Sequence, residues 1–362
     1  MFALRTRWIG WRNALLSNAK FQRFAADFPL TRGIAHRRTD ALFDLVAGFV
    51  YSQVLHACIS LDIFKTLQGG PLSADELAAK AGVPGQAMAR LMAAAAALDL
   101  VEPVGQRFAL GPQGAALLGN AGLADMIRHH DRLYADLIDP VALLKQGRGE
   151  RLSGYWGYAT SVRPDEAEGA DVSAYSSLMA ATQPAVAADV LDAYSMKRHR
   201  VVMDVGGGEG AFLAAVSARW PHIITRLFDL PAVIERGRAN VPRAEFFAGD
   251  FLADALPAGA DLITLIRILH DHDDDGVVRI LTSVHTALAP GGRVLIAEPM
   301  SAAPRRDRVA EAYFGLYLLA MGRGQARTPR LLTAWLRRVG FRKIRLLHVR
   351  TPALLRVLVA EV

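Results

Sequence analysis

The sequence holds a single cysteine, Cys58, among 362 residues. An internal disulfide is thereby excluded, and no CxxC or Cys/His spacing suggests zinc, a pattern that fits a reducing cytoplasm. Nor is there an unbroken apolar run of the roughly 20 residues a bilayer helix needs. The nearest, Leu45 to Phe64, is interrupted by Gln53, His56 and Asp62 and reads as a buried interface helix. The opening MFALRTRWIGWRNALL lacks the continuous apolar core and small-residue cleavage site of a signal peptide, so this arm is expected to stay on the mature protein. Internal repeats and low-complexity linkers are also missing. What is present is a globular composition, 52% hydrophobic, sufficient to fill two cores.

The net charge of +7 is concentrated at one end. Residues 1–40 carry eight Lys/Arg against Asp27 and Asp40, a surplus of six, and Trp8, Trp11, Phe21, Phe24 and Phe28 are interleaved with them. Such an arm suits either an anionic membrane surface or a solvated, dimer-packing helix.

Three regions are expected: the basic arm 1–40, a helical region 41–195 and an α/β region 196–362. Ala41 to Phe64 predicts a long helix, apolar around much of its circumference and hence buried against another helix or a second subunit. Ser73 introduces ADELAAKAGV, a helix ending at Gly82. Val83-Pro84-Gly85 turns into a second helix, and LVEPV and RFAL form a hairpin around Gly105-Gln106. Helix, turn, helix, hairpin is a winged-helix layout. A DNA-binding regulator would read bases from the second helix, but that helix offers only Arg90 among Ala, Met and Leu, so packing is favoured over nucleic acid.

From Arg200 short β-branched runs alternate with amphipathic helices, predicting a parallel sheet covered on both faces. Asp204-Val205-Gly206-Gly207-Gly208-Glu209-Gly210 lies between its first strand and helix, where glycines let backbone N–H groups approach an anionic ligand. Taken alone, the loop also satisfies a loose dinucleotide pattern, so an NAD-dependent oxidoreductase stays open here. The second strand ends in Asp229, suited to ribose hydroxyls, followed by Leu230; the third ends in Gly249-Asp250-Phe251, an acceptor and a ring for adenine. The fourth ends in His270-Asp271, with Arg267 just before, at the carboxyl edge where open α/β sheets bind ligands.

With DVGGGEG, FDLP, GDF, ILHDHDDD, LAPGGRVLIAEPM and GRGQARTP in this order, the sequence resembles the caffeate/acetylserotonin-type O-methyltransferase family. FPLTRGIAHRRTDALFDLVAGFVYSQVL, HHDRLYADLIDPVALL and YWGYA make it most similar to the acyclic carotenoid O-methyltransferases of photosynthetic bacteria, which methylate a C-1 hydroxyl. The resemblance implies a Rossmann-like class I methyltransferase sheet, a winged-helix-like N-terminal dimerisation domain and S-adenosyl-L-methionine as cofactor. It implies His270 as general base, Glu298 as the carboxylate that orients it with Asp271 beside them, and Asp204, Gly206, Gly207, Gly208, Gly210, Asp229, Leu230, Asp250, Phe251 and Arg267 around the cofactor. Three departures thin the polar surroundings of the base: Ala326 stands where the family has a second supporting Glu, His272 where it has Trp, and Ile266 where it has Lys. Met321 replaces the Asn of phenolic enzymes.

Methyl transfer from a sulfonium is an in-line displacement in which positioning, about 7–11 kcal/mol, outweighs the roughly 10²–10⁴-fold help of a base. An imidazole near its ordinary pKa is mostly neutral in the cytoplasm and able to take a proton. Asp273 to Asp275 precede a helix and read as caps rather than metal ligands, so no metal is expected. Tyr175, Met179, Tyr317 and Met321, with Tyr313 and Phe314, are candidates for the wall of a long apolar acceptor pocket. The leading expectation is O-methylation of an acyclic hydroxycarotenoid by a cytoplasmic homodimer, peripheral on the inner membrane if the arm binds lipid. An aromatic or polyketide acceptor is the nearest alternative.

Overall fold

The computed structural model describes residues 2–155, 170–301, 309–351 and 355–362. The chain divides into two compact units, Met1–Leu118 and Gly119–Val362. The expected boundary at 195/196 falls inside the second unit, because Ala187, Val190, Leu191 and Tyr194 of the preceding helix pack into the core of the sheet.

The first unit opens with α1 (Phe2–Leu16), α2 (Ala19–Asp27) and α3 (Arg32–Ser60), followed by α4 (Ile63–Leu67), α5 (Ala74–Ala81), α6 (Gly85–Ala97), the hairpin β1 (Val101–Val104) and β2 (Arg107–Leu110), and α7 (Pro112–Leu118). α5 starts where Ser73 accepts from the Glu76 backbone N–H while the Glu76 carboxylate accepts from that of Ser73, a reciprocal cap. It stops at Gly82, whose positive φ is the usual helix-ending conformation. α6 is core, as its composition predicts, with Met88, Met92 and Ala95 fully buried.

α3 corrects two expectations. It begins at Arg32 rather than Ala41 and stops at Ser60, where Asp62 adopts a left-handed conformation that starts α4 separately. Of the two expected modes of burial, against another helix or a second subunit, the first is not seen for Leu42, Phe43, Leu45, Val46, Phe49 and Val50, which are exposed within the chain. By length and composition it could cross a membrane, yet only 11% of its apolar window is buried.

In the second unit α8 (Ala121–Asp136), α9 (Pro140–Gln146), α10 (Arg151–Tyr155) and α11 (Ala170–Ala193) precede β3 (Val201–Val205), α12 (Ala211–Arg219), β4 (Ile224–Asp229), α13 (Pro231–Gly237), β5 (Glu245–Ala248), β6 (Ala260–Ile266), α14 (Asp274–Ala287) and β7 (Leu288–Glu298). A π-helical turn (Val309–Phe314), α15 (Gly315–Met321), α16 (Pro329–Val339), β8 (Arg342–Leu347) and β9 (Arg356–Glu361) complete it. The sheet has seven strands in the order β5-β4-β3-β6-β7-β9-β8. Its first five are parallel as expected, but β9 runs antiparallel to both β7 and β8, so the sheet is mixed. The continuous apolar run of β9 suits an interior position, and the charged RKIRLL of β8 suits an edge. Leu288, Ala289 and Pro290 open β7; a proline at the start of a strand interrupts no interior ladder bond.

This order places a topological switch between β3 and β6, the neighbours from which the chain proceeds to opposite sides. A crevice forms outside the carboxyl ends of such strands, and ligands bind there.

Candidate active site

The loops after β3, β4, β5 and β6 and the end of β7 all reach this carboxyl edge. Gly206 has φ +68°, and a Cβ there would strike Ile268 after β6 and press on Phe251 after β5, so only glycine lets the three loops converge. Asp204 lies below the loop, fully buried, with Oδ1 accepting from the Thr264 hydroxyl of β6 at 2.6 Å and Oδ2 without a hydrogen bond. It therefore bonds the neighbouring strand rather than the turn. Burial pushes its carboxyl up to about 7.

Asp229 ends β4 and is also buried. Its two oxygens accept from the backbone N–H groups of Gly208 and Leu230, each at 2.7 Å, which ties the glycine loop to the second strand. Burial outweighs those bonds and raises it to about 6. Asp250 accepts from the Leu252 N–H while its own N–H donates to Asp254. Phe251 meets the His272 ring edge to face at 5.4 Å.

His270 is not on the fourth strand itself. β6 stops at Ile266, Arg267 adopts a left-handed φ of +59°, and His270 rides on the 3-10 turn Leu269–Asp271 beyond it. The Arg267 N–H still bonds the Ala297 carbonyl of β7, so the turn leaves the sheet without stranding that group, and its guanidinium donates to the Thr182 hydroxyl of α11 at 2.8 Å. The imidazole is buried between two carboxylates, Nε2 being 3.1 Å from Asp271 Oδ1 and Nδ1 3.6 Å from Glu298 Oε2. Glu298 ends β7, is fully buried, and also accepts the His270 backbone N–H at 3.1 Å. Burial alone would lower the imidazole pKa; the charges of Asp271 and Glu298 win and raise it. The direction is upward from the ordinary histidine value expected from the sequence.

The residue that sequence reasoning left without a role is Arg327. It is buried to 2%, donates to the Leu269 and His272 carbonyls on either side of His270, each at 2.7 Å, and pairs with Asp274 at 2.8 Å. Trp335 covers its guanidinium at 5.2 Å. The neighbouring Gln325 N–H donates to the His270 carbonyl, and Gly324, at φ +80°, lets the chain pass against that carbonyl where a Cβ would clash. GRGQARTP thus grips the turn that carries the imidazole. The available signal was an arginine inside an otherwise small-residue motif. Asp273 caps α14 through the Gly276 N–H, as its spacing predicts.

Tyr317 and Met321 are buried in a cluster with Leu133, Leu143, Leu152 and Leu318, against which Tyr313, Phe314 and Ala326 pack. The Tyr317 and Tyr313 hydroxyls lie 2.9 and 2.7 Å from Nε2 of His129 and His130. Burial pushes His129 down to about 4, so that ring is neutral at physiological pH. Tyr175 and Met179 fall on α11, but their side chains lie outside the described residues.

One prediction follows for the isolated chain. In an NMR titration the His270 ring should titrate above the ordinary histidine value, and Asp271→Asn or Glu298→Gln should move its midpoint down. A midpoint unmoved by both substitutions would contradict the assignment of its charge partners.

Residues 134–342 match the O-methyltransferase domain model and residues 43–120 the O-methyltransferase dimerisation domain model. The chain is similar to demethylspheroidene O-methyltransferase of Rhodobacter capsulatus, 40% identical over 333 residues that cover 92% of this chain and 84% of the relative. It is 30% identical over 361 residues, 86% of each chain, to acetylserotonin O-methyltransferase of Mus musculus. Among solved structures it is similar to a methyltransferase of calicheamicin biosynthesis in its S-adenosylhomocysteine-bound form, with a TM-score of 0.74 and 26% identity over 90% of this chain and 98% of the other. The winged-helix layout therefore marks a dimerisation domain, and the cofactor of the matched family is S-adenosylmethionine rather than a nicotinamide. With both models matched along its length, the chain belongs to the S-adenosylmethionine-dependent O-methyltransferases.

Proposed function

We propose that the enzyme methylates the C-1 hydroxyl of an acyclic hydroxycarotenoid, with His270 as general base. The observation that supports the mechanism best is the imidazole set between Asp271 and Glu298 at the same sheet edge as the glycine loop and Asp229. The residues present fit the cofactor: the glycine loop brings backbone N–H groups to the crevice, and Asp204 Oδ2 remains a buried acceptor with no partner in the protein. Asp204, Gly206, Gly207, Gly208, Gly210, Asp229, Leu230, Asp250, Phe251 and Arg267 would hold it, with Asp229 at the ribose and Phe251 at the adenine. When bound, S-adenosylmethionine supplies an electrophilic methyl group on sulfur.

The chain itself orients the acceptor and moves one proton. As the acceptor oxygen forms its bond to carbon, the hydroxyl proton passes to His270. Glu298 holds the ring on one side, and both carboxylates stabilise the imidazolium that results. A tertiary alcohol is far less acidic than a phenol, so a base whose protonated form is stabilised suits this acceptor, and proton removal accompanies or follows attack. The Tyr313 and Tyr317 hydroxyls are already engaged by histidines, which leaves the α8 and α15 cluster effectively apolar and compatible with a polyene. The 40% identity to an enzyme named for demethylspheroidene supports the same acceptor class.

His270→Ala should lower turnover by about two to four orders of magnitude while calorimetric cofactor affinity persists. With labelled cofactor, an acyclic hydroxycarotenoid should be methylated in preference to a 5-hydroxyindole; exclusive use of the indole would replace this acceptor with an aromatic one. Arg327→Met should lower kcat about a hundredfold, the scale of a displaced catalytic group, with little change in cofactor KM and partial rescue by Lys. Equal loss of both parameters would make Arg327 merely structural.

We further propose that the exposed apolar face of α3 is covered by a second copy of the chain, since it overlaps the matched dimerisation domain. In light scattering the protein should run at twice the chain mass and Phe49→Asp at once; an unchanged dimer would reject that face.

A further inference from the structure

α1 and α2 precede the matched dimerisation domain, which starts at residue 43, and carry none of the residues named above at the sheet edge. Among the side chains described on α1 from Ala3 onward, only Ile9, Arg12 and Leu15 are even partly covered. Leu4, Trp8 and Trp11 are 74%, 56% and 64% exposed, and all remain exposed even though two of the three are tryptophans. At 100° per residue Leu4, Trp8, Trp11 and Leu15 fall on one stripe. Arg7 flanks that stripe on one side; Arg5 and Arg12 flank it on the other. Arg12 also lies over the Trp8 ring at 5.1 Å. On α2, Phe24 and Phe28 are exposed and stacked at 5.2 Å, near Lys20 and Arg23, while Ala25 is buried.

A helix of 15 residues with so little of its surface covered is marginal in water. Its apolar stripe calls for a partner. A second copy of the arm would bring a second surplus of six positive charges against the first, so like-charge repulsion opposes self-pairing. Nucleic acid would satisfy the arginines but leave Leu4, Trp8 and Trp11 in water. An anionic bilayer satisfies both sets of groups: tryptophans settle at the headgroup level and flanking arginines extend to lipid phosphates.

We propose that α1, with the aromatic end of α2, docks the enzyme on the surface of an anionic phospholipid bilayer. The stripe of Leu4, Trp8, Trp11 and Leu15 enters the interface, and Arg5, Arg7 and Arg12 hold phosphates on either side. The inference stands apart from the acceptor assignment, since an enzyme of any acceptor class could carry such an anchor.

The test is sedimentation of the full chain with vesicles of phosphatidylglycerol and phosphatidylcholine in equal parts, against vesicles of phosphatidylcholine alone. Binding should require the anionic lipid and weaken as salt is raised, since the Debye length shrinks to a few ångströms near 1 M. Each cation near such a surface is equivalent to about fivefold in partitioning, so Arg5→Ala, Arg7→Ala and Arg12→Ala together should weaken it about a hundredfold. Brominated lipid should quench tryptophan fluorescence of the unmodified protein, a readout that needs no variant. Chain left in the supernatant with anionic vesicles, binding unaffected by the triple substitution, or tighter salt-sensitive binding to duplex DNA without lipid quenching would each overturn the proposal.

Discussion

The site depends on a buried carboxylate at the end of a central strand. Glu298 is fully inaccessible, and its Oε2 accepts the backbone N–H of His270 and lies 3.6 Å from Nδ1 of its imidazole. A buried anion with no partner is strongly unfavourable. The histidine turn must therefore fold back onto β7, which fixes where the base stands relative to the glycine loop and Asp229. Asp271 on the opposite side of the ring completes a negative surround that favours the protonated imidazole. Under the proposed mechanism this surround would stabilise the charge that appears only after proton transfer, the state a catalyst should bind most tightly.

A 3-10 turn reached through a left-handed arginine is a poor element to hold a reacting group by itself. The protein supports it from a distance in sequence. Arg327 takes the carbonyls at either end of the turn, Gln325 takes the central one, and Asp274 and Trp335 fix the guanidinium. An arginine suits this role because its planar fork satisfies several acceptors at once. Ala326 stands where the resemblance implies a second supporting glutamate, and Asp271 and Glu298 are the carboxylates beside the imidazole among the described side chains.

Much of the catalytic unit was legible in the sequence because its signals are local. β-branched runs mark the parallel strands and the glycine loop marks the first turn; in the other unit, Ser73 and Gly82 mark the ends of α5. What was not legible is what depends on distant partners. The Arg327 clamp joins groups 55 to 58 residues apart, and neither local composition nor periodicity reports such a contact. The antiparallel β8 and β9 were missed because β9 inserts between β7 and β8 and no short hairpin signal joins the two strands. Which of the two expected partners covers α3 was not legible because an apolar circumference looks the same whether it meets its own chain or another. The upward direction of the imidazole pKa depends on both carboxylates placed in space, which local sequence does not report.

The most direct test of the account is a crystal structure with S-adenosylhomocysteine and the hydroxylated acceptor bound. The account predicts a His270 nitrogen within about 2.6–3.2 Å of the acceptor oxygen, Glu298 still on the His270 backbone N–H, and Arg327 still on the turn. An acceptor oxygen seated away from an imidazole that keeps both nitrogens against Asp271 and Glu298 would contradict it.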